Sequence, residues 1–138
     1  MNKLLILLMT LCASASADEN LLKACPNRPN CVSSNAIGSQ HTSAFRLKPE
    51  IDTTAQQLAT VLQQLEPRIS LNIDKLHLHA DIRSRVFEFV DELDLIIDPT
   101  QGLIHVRSAA RTGYYDFGVN RRRIEKLRYS LQQAGLIL

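Results

Sequence analysis

Between Ile69 and Val106 the chain holds several runs in which apolar and polar residues alternate, divided by turns. A period of two describes strands with one buried and one polar face. Ile69, Leu71 and Ile73 form the first run, and Asp74-Lys75 reads as a two-residue turn. Leu76, Leu78, Ala80 and Ile82 form the second, with His77, His79, Asp81 and Arg83 between them. Ile73 is then expected opposite Leu76, Leu71 opposite Leu78, and Ile69 opposite Ala80. A turn at Ser84-Arg85 sets Ile82 against Phe87, Ala80 against Phe89 and Leu76 against Leu93, with one mismatch, Leu78 against Asp91. The third turn, Asp98-Pro99-Thr100-Gln101-Gly102, has proline and glycine where turns use them. It pairs Ile97 with Ile104, Leu95 with Val106 and Leu93 with Ser108. In the first hairpin the apolar faces agree, which supports the expected register of Ile73 with Leu76.

Two helices flank the strands. Asp52-Thr53-Thr54 offers caps, and Thr53 with Gln56 fits a capping box. Leu58, Val61, Leu62 and Leu65 make one stripe, which Pro67 ends. The last helix is expected from about Gly118 to Ala134, with Ile124, Leu127, Leu131 and Ala134 buried and Gly135 as its stop. With one apolar sheet face, both helices belong on it. The fold class is therefore α+β: a two-layer sandwich of a four-stranded antiparallel meander with two helices on one face (α-β-β-β-β-α). It occupies residues 51–138, behind an irregular arm, residues 18–50, rich in Asn, Ser and Pro. A chain of 138 residues supports one such core.

The first residues read as a secretory signal. Lys3 supplies positive charge, Leu4 to Ala13 an apolar run, and Ala15-Ser16-Ala17 a cleavage site before Asp18. The apolar run is too short to span a bilayer, which needs about 20 residues, and no later segment is long enough. The expected location is the periplasm or the exterior. A lipidated Cys12 is disfavoured by Leu11, where a small residue is required. Removal of the signal leaves Cys25 and Cys31, which in an exported chain read as a disulfide. A metal pair or a catalytic dithiol fits the C-x5-C spacing less well.

A formal charge of +2 gives no general argument for nucleic acid. The basic residues are unusual in kind, with eleven Arg against five Lys. Arginine's planar fork favours fixed pairs with carboxylate or phosphate. Arg121, Arg122 and Arg123 fall at the start of the last helix, whose free N–H groups already make it positive. With Ile124 at the centre of the buried stripe, Asn120 falls on the core side. Arg121 and Arg123 fall on its two flanks, and Arg122 points to water. Asn120 must find partners. Asp91 and Ser108 lie on the apolar sheet face at the same end. One reading is a structural polar lock of Asp91, Ser108, Asn120 and an arginine. The other is an anion site of helix N–H groups, Asn120 and the flexible Gly113 and Gly118. It is not a P-loop, since Lys-Ser/Thr is missing. The candidate ligand-binding set is Arg107, Arg111, Asn120, Arg121 and Arg123.

On the other sheet face Asp94 is expected opposite Arg107, with Glu92 diagonal to Arg111: a solvated, self-paired face. His77, His79 and Glu92 would suit a metal, but any polar strand face shows that pattern. No metal and no cofactor is assigned. No nucleophile elbow surrounds a serine, so no catalytic residue is assigned. A hydrolase using Asp91 or His105 is the least favoured reading.

Three stretches, PNCVSS (29–34), LHADIRSRVFEFVDELDLIID (78–98) and IHVRSAARTGYYDFGVNRRRIEKLR (104–128), resemble the bacterial family designated domain of unknown function 1499. Arg107, Ser108, Ala109, Arg111, Gly113, Asp116, Gly118, Asn120, Arg121 and Arg123 fit its pattern. Ala110 stands where a serine is usual. The resemblance implies an exported or envelope-associated domain and no particular activity. The expected function is a periplasmic or envelope accessory module that binds an anionic small molecule, lipid headgroup or glycan. The alternative is a protein–protein or structural envelope module whose arginines form structural ion pairs.

Overall fold

The alternating segments do form antiparallel strands, and the sheet is wider than the four expected. The computed structural model describes residues 22–85 and 87–138; the expected signal peptide, cleaved after Ala17, and Cys12 lie outside them. In chain order the elements are β1 (Cys31–Ser33), β2 (Phe45–Arg46), α1 (Ala55–Leu65), β3 (Ile69–Asp74), β4 (His77–Arg83), β5 (Val90–Asp98), β6 (Leu103–Ala110) and α2 (Val119–Gln133), with a 3-10 turn at Gly38–Gln40. The sheet order is β1-β6-β5-β4-β3, and β2 also pairs with β6. The α+β class and the meander hold. The added strands come from the N-terminal arm, which is therefore not irregular throughout. Strands of two and three residues are too short to show a period.

Both helices lie on the apolar sheet face. Leu58 and Leu62 of α1 and Ile124, Leu127 and Leu131 of α2 join Leu78, Ala80, Leu93, Leu95, Ile97, Ile104 and Val106 in one core. Phe45 of the arm is fully buried there as well. Ala134, expected in the buried stripe, is exposed: α2 ends at Gln133 and Gly135 turns the chain with φ 73°. The capping box is Thr54 with Gln57, one residue later than expected. Thr53 is instead buried and donates to Leu136 O at 2.9 Å.

The β5–β6 register is the expected one, including Ile97 opposite Ile104 and Leu93 opposite Ser108. Asp98 fixes it: its Oδ1 accepts from Thr100 N, Thr100 Oγ1 and Gln101 N, and Gly102 takes φ 66°. The other two hairpins keep the parity but slide. Ile73 faces Leu78 and Leu71 faces Ala80, because the turn sits at Lys75-Leu76, with Lys75 left-handed at φ 52°. Between β4 and β5 the slip is four residues: Ile82 faces Asp91, Ala80 faces Leu93 and Leu78 faces Leu95. The expected Leu78–Asp91 mismatch disappears. Phe87 and Phe89, expected on the core face, stand in the loop, 72% and 59% exposed.

Cys25 and Cys31 are disulfide-bonded, which pins the arm just before β1 enters the sheet. Replacing both by serine is expected to lower stability by about 2 kcal/mol, as for a short closed loop. Urea unfolding of the variant, and of the native chain with and without reductant, measures this.

Candidate functional site

The start of α2 has its own anion. Gly118, left-handed at φ 75°, is the N-cap and offers no side chain. Asp116 serves instead. Its Oδ1 accepts from Gly118 N at 2.9 Å, and its Oδ2 accepts from Asn120 N at 3.1 Å and Asn120 Nδ2 at 2.8 Å. Burial opposes ionisation of Asp116. The bonds from the Asn120 side chain and from the backbone N–H groups of Asn120, Gly118 and Asp116 itself outweigh it and hold the carboxyl below its usual range. The spacing Asp-x-Gly-x-Asn carried this signal, and sequence reasoning passed over it.

Asn120 is fully buried on the core side, as expected. Its Oδ1 accepts from Ser108 Oγ at 2.6 Å and Arg123 Nη1 at 2.8 Å. Its Nδ2 also reaches Asn30 O at 3.4 Å. Arg123 continues the network to Asp91 Oδ2 at 2.9 Å and to Glu66 Oε1 at 3.1 Å. Asp91, Ser108, Asn120 and one arginine thus come together in a single hydrogen-bonded cluster. Asn30, Asp116 and Glu66 also belong to it. Asn30 and Glu66 lie on the arm and at the end of α1, so only the tertiary fold joins them. Burial pushes the Asp91 carboxyl up despite Arg123, and the nearby Asp116 and Glu66 charges add to this.

The five candidate ligand-binding residues do not share one place. Arg107 and Arg111 lie on the opposite sheet face. Asp94 does face Arg107, yet that face is not solvated there: Arg107 is only 3% exposed, and its Nη1 lies 3.6 Å from Glu92 Oε2 and 3.7 Å from Asp94 Oδ2. Arg111 pairs with Asp81 and, at 3.1 Å, with Glu92; the Arg111 bond leads in holding Asp81 below its usual range. Asp94 Oδ1 lies 2.9 Å from His77 Nε2 and 2.7 Å from His79 Nδ1. Burial opposes protonation of His79, but Asp94 and Asp81 together raise its pKa above the usual histidine value. Leu22 and Lys23 border the same hollow as His77, His79, Glu92 and Asp94. Among the described residues no group of three or more His, Cys, Asp and Glu is placed to hold a metal ion.

Arg121 is the remaining candidate. It donates to Ser39 O at 2.6 Å and His41 O at 3.1 Å, and among the described residues no carboxylate pairs with it. It lines a cleft of about 390 Å³ between the arm (Pro29, Val32, Ser39) and the loop Tyr115 to Gly118. Arg122 is exposed and donates to Phe117 O at 2.7 Å.

A family model described as "Protein of unknown function (DUF1499)" matches residues 21–131. No curated protein and no solved structure matches the chain. No helix among the described residues is long and apolar enough to cross a membrane.

Asn120→Ala would leave the Ser108 hydroxyl, the Arg123 guanidinium and the Asp116 carboxylate short of a partner. The expected loss is about 2–3 kcal/mol, against less than about 0.5 kcal/mol for the exposed Arg122→Ala; denaturant unfolding compares them. The two aspartates should act oppositely with pH. Asp91, raised in the fold, favours folding below the ordinary value of 3.8 and loses that contribution as pH rises through its folded pKa. Asp116, lowered, contributes fully above 3.8 and loses it as pH falls. The stability of wild type relative to Asp91→Asn should therefore decline as pH rises above 3.8. Relative to Asp116→Asn it should grow as pH rises toward 3.8. Melting across pH 3–7 (roughly that range) reads both slopes.

Proposed function

The chain belongs to the DUF1499 family, and from the cleft beside α2 we propose that it is an exported envelope accessory module that holds an anionic small molecule, headgroup or glycan fragment. One observation carries this reading. Arg121 lines the cleft with its charge bound only to carbonyls, while Arg111 and Arg123 are hydrogen-bonded to carboxylates and Arg107, buried on the other sheet face, stands 3.6 and 3.7 Å from two of them with its Nε and Nη1 making no hydrogen bond. A guanidinium that bonds carbonyls keeps its formal charge and its attraction for an anion. Tyr115 and Phe117 line the same cleft, and their rings suit the face of a sugar or another ring. The helix N-terminus itself is satisfied by Asp116, so the anion is read by Arg121 rather than by helix N–H groups. The disulfide is compatible with an oxidising compartment.

A second reading is favoured by the same ion pairs: a protein-interaction or structural envelope module in which Arg107, Arg111 and Arg123 only hold the fold. The two separate by titration. Inorganic phosphate, glucose-1-phosphate and glucuronate are titrated by calorimetry, with neutral glucose as control. The sugar anions are expected to bind more tightly than phosphate, and glucose not at all. Arg121→Ala should weaken them about tenfold or more, roughly 1.4 kcal/mol, and Tyr115→Ala should weaken the sugar anions alone. Arg122→Ala should bind as wild type. No binding at millimolar concentration, or an unaffected Arg121→Ala, favours the structural reading.

A further inference from the structure

The aromatic residues of this chain are spent on its surface. Phe45 is the one buried aromatic ring among the described residues, while Phe87, Phe89, Tyr114, Tyr115 and Phe117 are each 59% to 80% exposed. All five lie on two loops. One joins β4 to β5; the other joins β6 to α2. The β5–β6 pairing sets Asp91 against Ala110, and Arg111 N donates to Val90 O at 2.9 Å. The two loops therefore open at the same end of the sheet. Within each loop the rings meet: Phe87 and Phe89 at 5.7 Å between centroids, Tyr115 and Phe117 edge-on at 5.3 Å.

The described residues at the two ends of the first loop, and the second loop, are tied by hydrogen bonds. Ser84 and Phe89 close the first, through Ser84 N to Phe89 O at 2.9 Å and Phe89 N to Ser84 Oγ at 3.1 Å. Arg68 ties its flank through Ser84 O and Glu88. The second is held by Asp116 and by Asn30 and Arg28, both of which donate to Gly113 O. Neither set of bonds uses the aromatic rings, which are left facing water. Exposed apolar surface concentrated in this way marks a contact.

The charge around these rings chooses the partner. Arg28, Arg83, Arg85 and Arg122 lie on or beside the loops, and among the described residues none pairs with a carboxylate. The two acids there are engaged, Glu88 with Arg68 and Asp116 with the α2 N-terminus. The end is thus aromatic at its tips and cationic around them. Aromatic rings settle at the boundary between headgroups and hydrocarbon, and arginines near an anionic leaflet add attraction. Loop tips enter a fluid bilayer without a shaped counterpart, whereas a stable protein interface asks for a matched surface of roughly 800 Å² per partner.

We propose that the β4–β5 and β6–α2 loops dock this protein onto an anionic phospholipid bilayer, with Phe87 and Phe89 entering the interface and the arginines facing the headgroups. The rings that enter the interface, Phe87 and Phe89, lie outside the cleft, although the β6–α2 loop forms one of its walls.

The test uses the chain from Asp18 onward, which keeps every described element. Vesicles of phosphatidylglycerol mixed with phosphatidylcholine are compared with pure phosphatidylcholine by co-sedimentation. Wild type is expected to bind the anionic vesicles at least tenfold more tightly, and less so at high salt. Phe87→Ser with Phe89→Ser should lose at least tenfold while melting as wild type does. The chain has no tryptophan, so Phe87→Trp gives a single reporter, whose emission should shift to the blue on anionic vesicles alone. Arg121→Ala should still bind vesicles, which keeps failure of the cleft reading distinct from failure here. The proposal is overturned if wild type stays in the supernatant with both vesicle types, or if the double serine variant sediments as wild type does. It is equally overturned if Phe87→Trp emission does not move. Self-association that the serine variant abolishes, without vesicle binding, would assign the patch to a second copy of the chain instead.

Discussion

A single buried amide holds five other parts of this molecule in register. Asn120 sits in the first turn of α2 and reaches β6 through Ser108, the preceding loop through Asp116, the arm through Asn30 and, by way of Arg123, both β5 and α1. A polar group removed from water must be satisfied or it destabilises the fold by about 1–3 kcal/mol. Asn120 is satisfied at both ends of its amide, so its neighbours are constrained to the one arrangement that satisfies it. The three consecutive arginines are tolerable for a related reason. Each misplaced cation at a helix N-terminus is unfavourable by about 0.3–1 kcal/mol, but the Asp116 carboxylate accepts from the Gly118 and Asn120 N–H groups, and none of the three heads is left idle.

The arginines divide into distinct tasks according to the helix face that carries them. Arg123, on one flank of α2, turns inward to Asp91 and Glu66. Arg121 and Arg128, seven residues apart and hence on one flank, hold the arm: Arg121 through Ser39 and His41 carbonyls, Arg128 through the Ser43 carbonyl at 2.8 Å. Arg128 also lies over the Phe45 ring at 4.7 Å. The arm is thus built into the core on one side and clasped on the other. The cleft at Arg121 exists because of this, since one of its walls is the arm and the other is the loop that Asp116 shapes.

Alternation made the sheet legible as to faces but not as to register. Any even slip leaves the apolar residues together, so Ile73 could face Leu76 or Leu78 with equal logic. Only the β5–β6 turn carried enough chemistry, an aspartate with three acceptor contacts and a glycine at positive φ, to fix the pairing. The β4–β5 slip of four residues is what moved Phe87 and Phe89 from the expected core to the surface. Asn120, Asp91 and Ser108 were legible as a cluster because the helical wheel and the strand parity both pointed inward at one end of the sheet. The separation of Arg107 and Arg111 from Arg121 was implicit in the same parity. Strand position 107 faces away from 108, so a site uniting all five required a sheet with only one side. Asn30, Glu66 and the two short arm strands carried no local signal, because their partners lie far away in sequence.

Backbone strain at the aromatic end bears on how it works. Glu88 and Phe117 are non-glycine residues held left-handed, each at φ 53°. That conformation is unfavourable by about 1–2 kcal/mol for an L-residue, and it persists where surrounding bonds over-determine it. At Phe117 they are the Arg122 bond to its carbonyl and the Asp116 cap on either side of Gly118. At Glu88 they are the Arg68 ion pair and the Ser84–Phe89 closure. Two loops that need such enforcement to present exposed rings gain nothing in stability from presenting them. They gain a constrained backbone at Glu88 and Phe117, which leaves the ordering of the side chains, typically about 0.5–1.5 kcal/mol for each one immobilised, as the entropy still lost on contact. Under the docking proposal, strain already present in the free protein is strain that contact need not add; Lys75, left-handed in the β3–β4 turn at the other end of the sheet, shows the same conformation serving a turn alone.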